Sequence, residues 1–398
     1  WVPKNPKETR RGRDVPESER EYFLENKYPG YGNLVPRDIA SRELFLKCFH
    51  EGRGVYNENS GKNENEVYLD LTHIPKDMLR KKLAGILEIY EKFAGEDPYE
   101  NPMKVFPAVH YSMGGLWVDF ERNAQGSLVP GSPRNQATNI PGCYAAGEVD
   151  YQYHGANRLG ANSLLSCIYA GMVTGPAIAS YRKNMAKSSW DVSSSLFEKA
   201  ELRERSNYES ILKMQGTENP FRLHQEVAEV MLRDCTIERH NGTLDQVLAK
   251  IDEVETRFKN VNVLDTSSKA NQSAQFVRHL KNMLTLARVV AQGARNRDES
   301  RGAHFKPDFK DRNDEAWLRT TLAFHEEGAD GNGRVRYERE VRYNLLGEAM
   351  TVSDAVDTTL VRPRARKYEQ AGAASAAAKG QVDADKSGDK AKTTQATT

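Results

Sequence analysis

Gly147-Glu148-Val149-Asp150, followed by His154-Gly155-Ala156-Asn157-Arg158-Leu159-Gly160-Ala161-Asn162-Ser163-Leu164-Leu165, decides how this chain folds. The run Cys143 to Ala146 ahead of it predicts a strand, and Ser163 to Lys183 behind it predicts a long helix of small residues. A strand ending in Gly-Glu, a glycine-rich loop and an Asn-Ser helix start aim backbone N–H groups and a positive helix end at whatever occupies the loop. Arg158, inside the loop, can fork onto a carboxylate. A tight turn feeding a packed helix would not need so many polar groups on one loop.

Upstream, His110-Tyr111-Ser112-Met113-Gly114-Gly115 directly precedes a second predicted strand, Leu116 to Phe120. Glycine lets a ligand approach the backbone closely, so the pair after this histidine suggests a site. A lone histidine is as readily structural. Leu34-Val35-Pro36-Arg37-Asp38-Ile39 reads as a proline turn opening a helix, with Asp38 available as a cap and Ile39, Leu44, Phe45 and Phe49 on its apolar face. Val67 to Leu71 alternates like a short strand, and Pro75 opens a helix whose stripe is Leu79, Leu83, Ile86, Leu87 and Tyr90.

Downstream, Glu226 to Ile237, Leu244 to Phe258 and Ser273 to Arg295 carry apolar residues three and four apart, which predicts three antiparallel helices in a bundle. A small mixed module follows. Ala371 to Thr398 lacks periodicity and large apolar residues and is expected to be disordered.

Composition narrows the partners. Among 398 residues, 57 basic and 56 acidic side chains leave a formal charge of +1, so no nucleic-acid footprint is visible. Cys48, Cys143, Cys167 and Cys235 form no C-x-x-C pair, which argues against a zinc site or disulfide scaffold; no metal ligands are expected. The least polar stretch, Leu164 to Tyr181, is broken by Ser166, Thr174, Gly175 and Pro176, short of the ~18 unbroken apolar residues of a membrane span.

The stretch His110 to Gly175 strongly resembles the flavoprotein subunits of succinate dehydrogenase and fumarate reductase, which carry His-Tyr-x-Met-Gly-Gly, a Gly-Glu, and His-Gly-Ala-Asn-Arg-Leu-Gly-x-Asn-Ser-Leu. Pro36-Arg37-Asp38 and Glu299-Ser300-Arg301-Gly302-Ala303-His304 extend the resemblance. It implies FAD as cofactor and interconversion of succinate and fumarate. Glu148, Asn162, Ser163 and Leu164 would hold the flavin, His110 and Arg158 the substrate carboxylates, and Arg37 would move the proton. The partners implied are an iron–sulfur subunit and a cytochrome b membrane anchor, with the protein peripheral on the cytoplasmic face of a bacterial inner membrane.

The fold class implied is α+β or α/β. Residues 1–105 would end a capping domain and 106–188 would be the C-terminal part of a Rossmann-like FAD domain. Residues 195–300 would form the bundle, 301–365 the small module and 366–398 the tail. The family's G-x-G-x-x-G fingerprint is absent and the chain starts at Trp1, so a fragment is expected, one unable to retain FAD alone. An L-aspartate oxidase, or a non-catalytic fragment serving as a scaffold, are the alternatives.

Overall fold

The computed structural model describes residues 1–151, 153–160, 162–318 and 320–324, and the backbone of 342–345. Two compact units divide these residues at Ala108 and Val109. The tail expected at 366–398 lies outside the described residues, as does most of the small module.

The first unit holds three short antiparallel pairs: β1 (Val2–Pro3) with β2 (Arg20–Glu21), β3 (Tyr56–Asn57) with β4 (Lys62–Asn63), and β5 (Val67–Leu69) with β6 (Met103–Val105). Among them run α1 (Phe23–Lys27), α2 (Arg37–Phe45) and α3 (Lys76–Ala94). Val2, Phe23, Cys48 and Val67 form one small core, with Leu44, Phe49 and Phe106 packed against it. The apolar stripe of α3 closes a second core through Leu79, Leu87 and Met103, with Leu83 and Tyr90 against it. Ile86, expected in that stripe, is 63% exposed instead. Lying next to Leu87 in the chain, it is rotated about 100° from it around the helix axis, off the buried side.

Helix α2 starts directly after Pro36, which fits a residue whose ring forbids helix on its N-terminal side. Asp38 does not cap it; its carboxylate pairs with Arg42 one turn on, at 3.6 Å. The helix passes at Leu46–His50 into a π turn, which brings Cys48 inward.

In the second unit the predicted strands Leu116 to Phe120 and Cys143 to Ala146 form no continuous ladder: Leu116 bridges to Asp150 and Tyr144 to Ala137, while the Asp119 N–H donates to the Ala137 carbonyl at 2.8 Å and the Asp119 carbonyl accepts from the Gln136 N–H at 2.9 Å. The reason is local. The segment between them turns at Gln136, at φ +65°, and Gly142 and Gly147 turn the chain on either side of the second run, at φ +80° and +88°, so the pairing stays broken.

Helix α4 (Asn162–Lys183) buries a stripe of small residues, Ser166, Ala170, Thr174 and Ala177, and leaves Leu164, Leu165, Ile168 and Met172 exposed. By length and composition it could cross a membrane, with a mean hydropathy of 1.3. Its polar Ser166 and Thr174 nevertheless face protein: Thr174 Oγ1 donates to the Ala170 carbonyl at 2.7 Å.

Four further helices follow: α5 (Ser194–Leu212), α6 (Pro220–Met231), α7 (Asn241–Phe258) and α8 (Gln272–Asn296). The last three make the expected bundle, around Leu223, Val227, Leu244, Val247, Ile251, Val254, Val277, Leu280 and Leu284. Helix α5 has no buried residue and packs on that core from outside, through Ile211. Asn219 caps α6 by accepting from the Phe221 N–H at 2.9 Å, and Asn271 caps α8 through the Ala274 N–H at 2.8 Å. Buried Arg288 ties α8 to α7 through Asp252 at 2.6 Å and Glu255 at 2.8 Å. Beyond α8 come α9 (Asp314–Trp317) and the pair β7 (Thr321–Phe324) with β8 (Arg342–Leu345).

Ile251 is fully buried at the centre of the bundle. Ile251→Ala should therefore lower stability by about 2–5 kcal/mol in urea unfolding. Leu202→Ala, on the outer helix α5, should stay within about 0.5 kcal/mol. Equal costs at both positions would show that the bundle core is not where the packing places it.

Candidate functional site

Two motifs that lie far apart in sequence meet in the second unit. The Ser112 N–H donates to Glu148 Oε1 at 2.9 Å, and the Leu116 N–H to the Val149 carbonyl at 2.7 Å. A Cβ on Gly115 would stand 2.3 Å from that carbonyl oxygen, so glycine is what permits the approach. The Arg158 guanidinium lies over the Tyr111 ring, 5.1 Å from its centre, a cation–π contact. Its Nη1 is 3.4 Å from both the Leu159 carbonyl and Ser163 Oγ. The other guanidinium nitrogens make no hydrogen bond among the described residues.

Ser166, at the start of α4, joins the two sides. Its hydroxyl donates to the Ser163 carbonyl at 2.8 Å, so it can only accept from His154 Nε2 at 3.1 Å and from the Tyr111 hydroxyl at 3.4 Å. Beneath the loop, buried Asp150 accepts from the Gly147 N–H at 3.0 Å and from Gln136 Nε2 at 2.9 Å. That clamp leaves Glu148 at the surface.

Of the residues expected to act, His110, Glu148, Arg158, Asn162, Ser163 and Leu164 all belong to this unit. His110 is exposed next to Tyr111, Arg158 is half-buried, and Asn162, Ser163 and Leu164 are the first turn of α4. Arg37 belongs to the first unit, exposed at the first position of α2. Tyr111, Gln136, Asp150 and Ser166 carry contacts that no expected role covered. Tyr111 and Asp150 sit inside the quoted motifs and could have been picked out there; Gln136 carried no signal.

Behind the loop stands the segment Glu299 to Lys306. The Ala303 N–H donates to the Ala156 carbonyl at 2.8 Å. Glu299 is fully buried and accepts from Arg301 at 2.8 and 2.9 Å, Arg297 at 2.8 Å and the Asn313 N–H at 2.9 Å. Burial alone would raise its pKa, but these donors overcome it and hold the carboxylate ionised, with a lowered pKa. Lys306, fully buried, is pulled down by burial despite its contact with Asp298 at 2.9 Å. His304 accepts from Arg239 Nη1 at 2.6 Å and donates from Nε2 to the Arg297 carbonyl at 2.9 Å. Burial, with Arg239 beside it, lowers its pKa from 6.5 to about 4.

The loop suits a large anionic or polar ligand. A Cβ added at Gly114 or Gly160 would meet nothing within 4 Å, so the backbone there is open to approach. The first-turn amides of α4 have no intrahelical acceptor. Among the described residues no group of three or more His, Cys, Asp or Glu could hold a metal ion.

The family described as FAD binding domain matches residues 9–164, and the family described as Fumarate reductase flavoprotein C-term matches residues 224–368. A succinate dehydrogenase flavoprotein subunit of Bacillus subtilis is 48% identical over 349 residues, which is 88% of this chain and 53% of that relative. A fumarate reductase flavoprotein subunit of Haemophilus influenzae is 32% identical over 77% of this chain and 47% of its own length. The chain thus spans about half the length of the curated relatives it matches. Among solved structures, E. coli quinol fumarate reductase superposes with a TM-score of 0.67 at 28% identity, over 91% of this chain and 55% of the other.

The buried, neutral His304 gives a pH test. Above pH 6.5 neither the folded nor the unfolded chain protonates it; between 6.5 and about 4 only the unfolded chain does. Stability should therefore fall as pH drops through that window, by up to about 3 kcal/mol from this residue. His304→Gln, which keeps a donor toward Arg297 and cannot titrate, should flatten that part of the slope. An unchanged slope in denaturant titrations from pH 7 to 4 would mean that His304 titrates alike in the folded and the unfolded chain.

Proposed function

The chain belongs to the flavoprotein family of the succinate dehydrogenases and fumarate reductases, and from that premise we propose that it serves an FAD-dependent enzyme interconverting succinate and fumarate. The observation that carries this reading is the meeting of the His-Tyr motif with the arginine loop, through Arg158 over Tyr111 and Ser112 on Glu148. When bound, FAD supplies the two-electron redox chemistry that no side chain can.

The chain's own residues then have distinct tasks. Glu148 accepts hydrogen bonds from the cofactor's hydroxyls. Asn162, Ser163 and Leu164 present the amides and the positive end of α4 to the flavin, where they favour negative charge. His110 and Arg158 hold the two ends of a dicarboxylate. Stacking on Tyr111 sets the plane of the Arg158 guanidinium and leaves free nitrogens for a carboxylate fork. Arg37 moves the proton at one methylene carbon of the substrate. A guanidinium gives up a proton only transiently, with an acidic group taking it up. An iron–sulfur subunit and a cytochrome b anchor would carry the electrons onward, with the enzyme peripheral on the cytoplasmic face of the membrane.

Two substitutions in the FAD-loaded holoenzyme test the assignments. Arg158→Lys keeps the charge and loses the fork, so malonate should bind more weakly by about 1.5–3 kcal/mol. An unchanged dissociation constant would move carboxylate binding elsewhere. Arg37→Gln should lower succinate turnover by roughly 10²–10⁴-fold, with flavin content unaltered. Turnover close to wild type would reduce Arg37 to the opening residue of α2.

A further inference from the structure

The Gly302–Ala303 corner is the one place where the segment beyond the helical bundle touches the backbone of the arginine loop through a donated hydrogen bond among the described residues. Gly302 has φ +59°, and a Cβ there would lie 2.4 Å from the Ala156 oxygen, 2.7 Å from its carbon and 2.9 Å from Asn157 Cβ. Ala303 then donates its N–H to that same oxygen at 2.8 Å. Both contacts fall on the two residues immediately ahead of Arg158. Residues 301 to 304 form a tight turn of their own, with Arg301 N–H on the His304 carbonyl at 2.7 Å and the reverse bond at 3.1 Å.

The turn has little freedom. Glu299 grips Arg301 on one side, and the His304 ring bridges Arg239 and the Arg297 carbonyl on the other. Arg239 lies just past the π turn that extends α6, and Arg297 is the residue that ends α8. A chain of short bonds therefore runs from the bundle to the Ala156 carbonyl.

We propose that Gly302 and Ala303 are positioning residues for dicarboxylate binding: they fix the Ala156–Asn157 backbone and through it the direction in which Arg158 presents its guanidinium. The proposal rests on the reading of Arg158 as the carboxylate clamp. A fork must meet both oxygens of its partner, so a shift of about 1 Å in the loop loses binding that a point charge would keep. Gly302 touches neither substrate nor cofactor in this role.

The test is a double-mutant cycle in the FAD-loaded holoenzyme, reading malonate affinity from the flavin absorbance. Gly302→Ala should weaken malonate at least about tenfold and raise the succinate KM more than it lowers kcat, with flavin content retained. In an Arg158→Ala background the same substitution should change malonate affinity less than about twofold, because the residue it acts through is gone. Should Gly302→Ala fail to load FAD, His304→Asn, which loosens the turn from its far side, enters the same cycle with the same expected coupling. Unchanged malonate affinity, or an equal loss with and without Arg158, would overturn the positioning role. A wild-type holoenzyme indifferent to malonate would instead overturn the reading of Arg158.

Discussion

A carboxylate with no exposure to water must be met by donors or lose its charge, and Glu299 is met by two arginines and a backbone amide. That requirement fixes more of the second unit than any apolar contact near the loop. It pins the chain as it leaves α8, orients Arg301 and Arg297, and so sets the turn that meets Ala156. Removing one partner of such a group leaves an uncompensated charge. The helical bundle is thereby tied to the loop.

Much of this architecture was legible in the sequence because its signals were local. The small-residue helix was expected from Ser163 and begins at Asn162; the three bundle helices follow the spacing of Leu244, Val247, Ile251 and Val254. The fold class agrees with the likeness to fumarate reductase. What escaped was what depends on partners distant in the chain. Leu116 to Phe120 has the composition of a strand, but its neighbours turn at Gln136 and Gly147 and break its pairing into separate contacts at Leu116 and Asp119. Ile86 has the chemistry of a core residue and the wrong helical phase.

The site shows the same division. His110, Glu148, Arg158 and the α4 start stand in motifs whose wording carries their expected roles, and the fold brings all of them into one unit. Tyr111 lay in plain view beside His110, yet its contact with Arg158 bridges 47 positions of chain and no spacing rule reaches that far. Gln136 is more opaque still. Its value lies in a left-handed backbone and an amide that spans Ala145 and Asp150, neither of which a residue type announces.

Helix α4 inverts the usual relation between size and burial. Ala170 and Ala177 are fully enclosed, and Ser166 and Thr174 nearly so, while the large residues of the helix face outward. Its packed face therefore sits at a ceiling of volume. Shortening a side chain there removes almost nothing, whereas enlarging one forces backbones apart at about 1–3 kcal/mol. An ordinary amphipathic helix tolerates drift toward bulk on its buried side and suffers from truncation. Over the course of divergence, α4 should instead hold its inner positions to the smallest side chains while its outer ones exchange one large apolar residue for another.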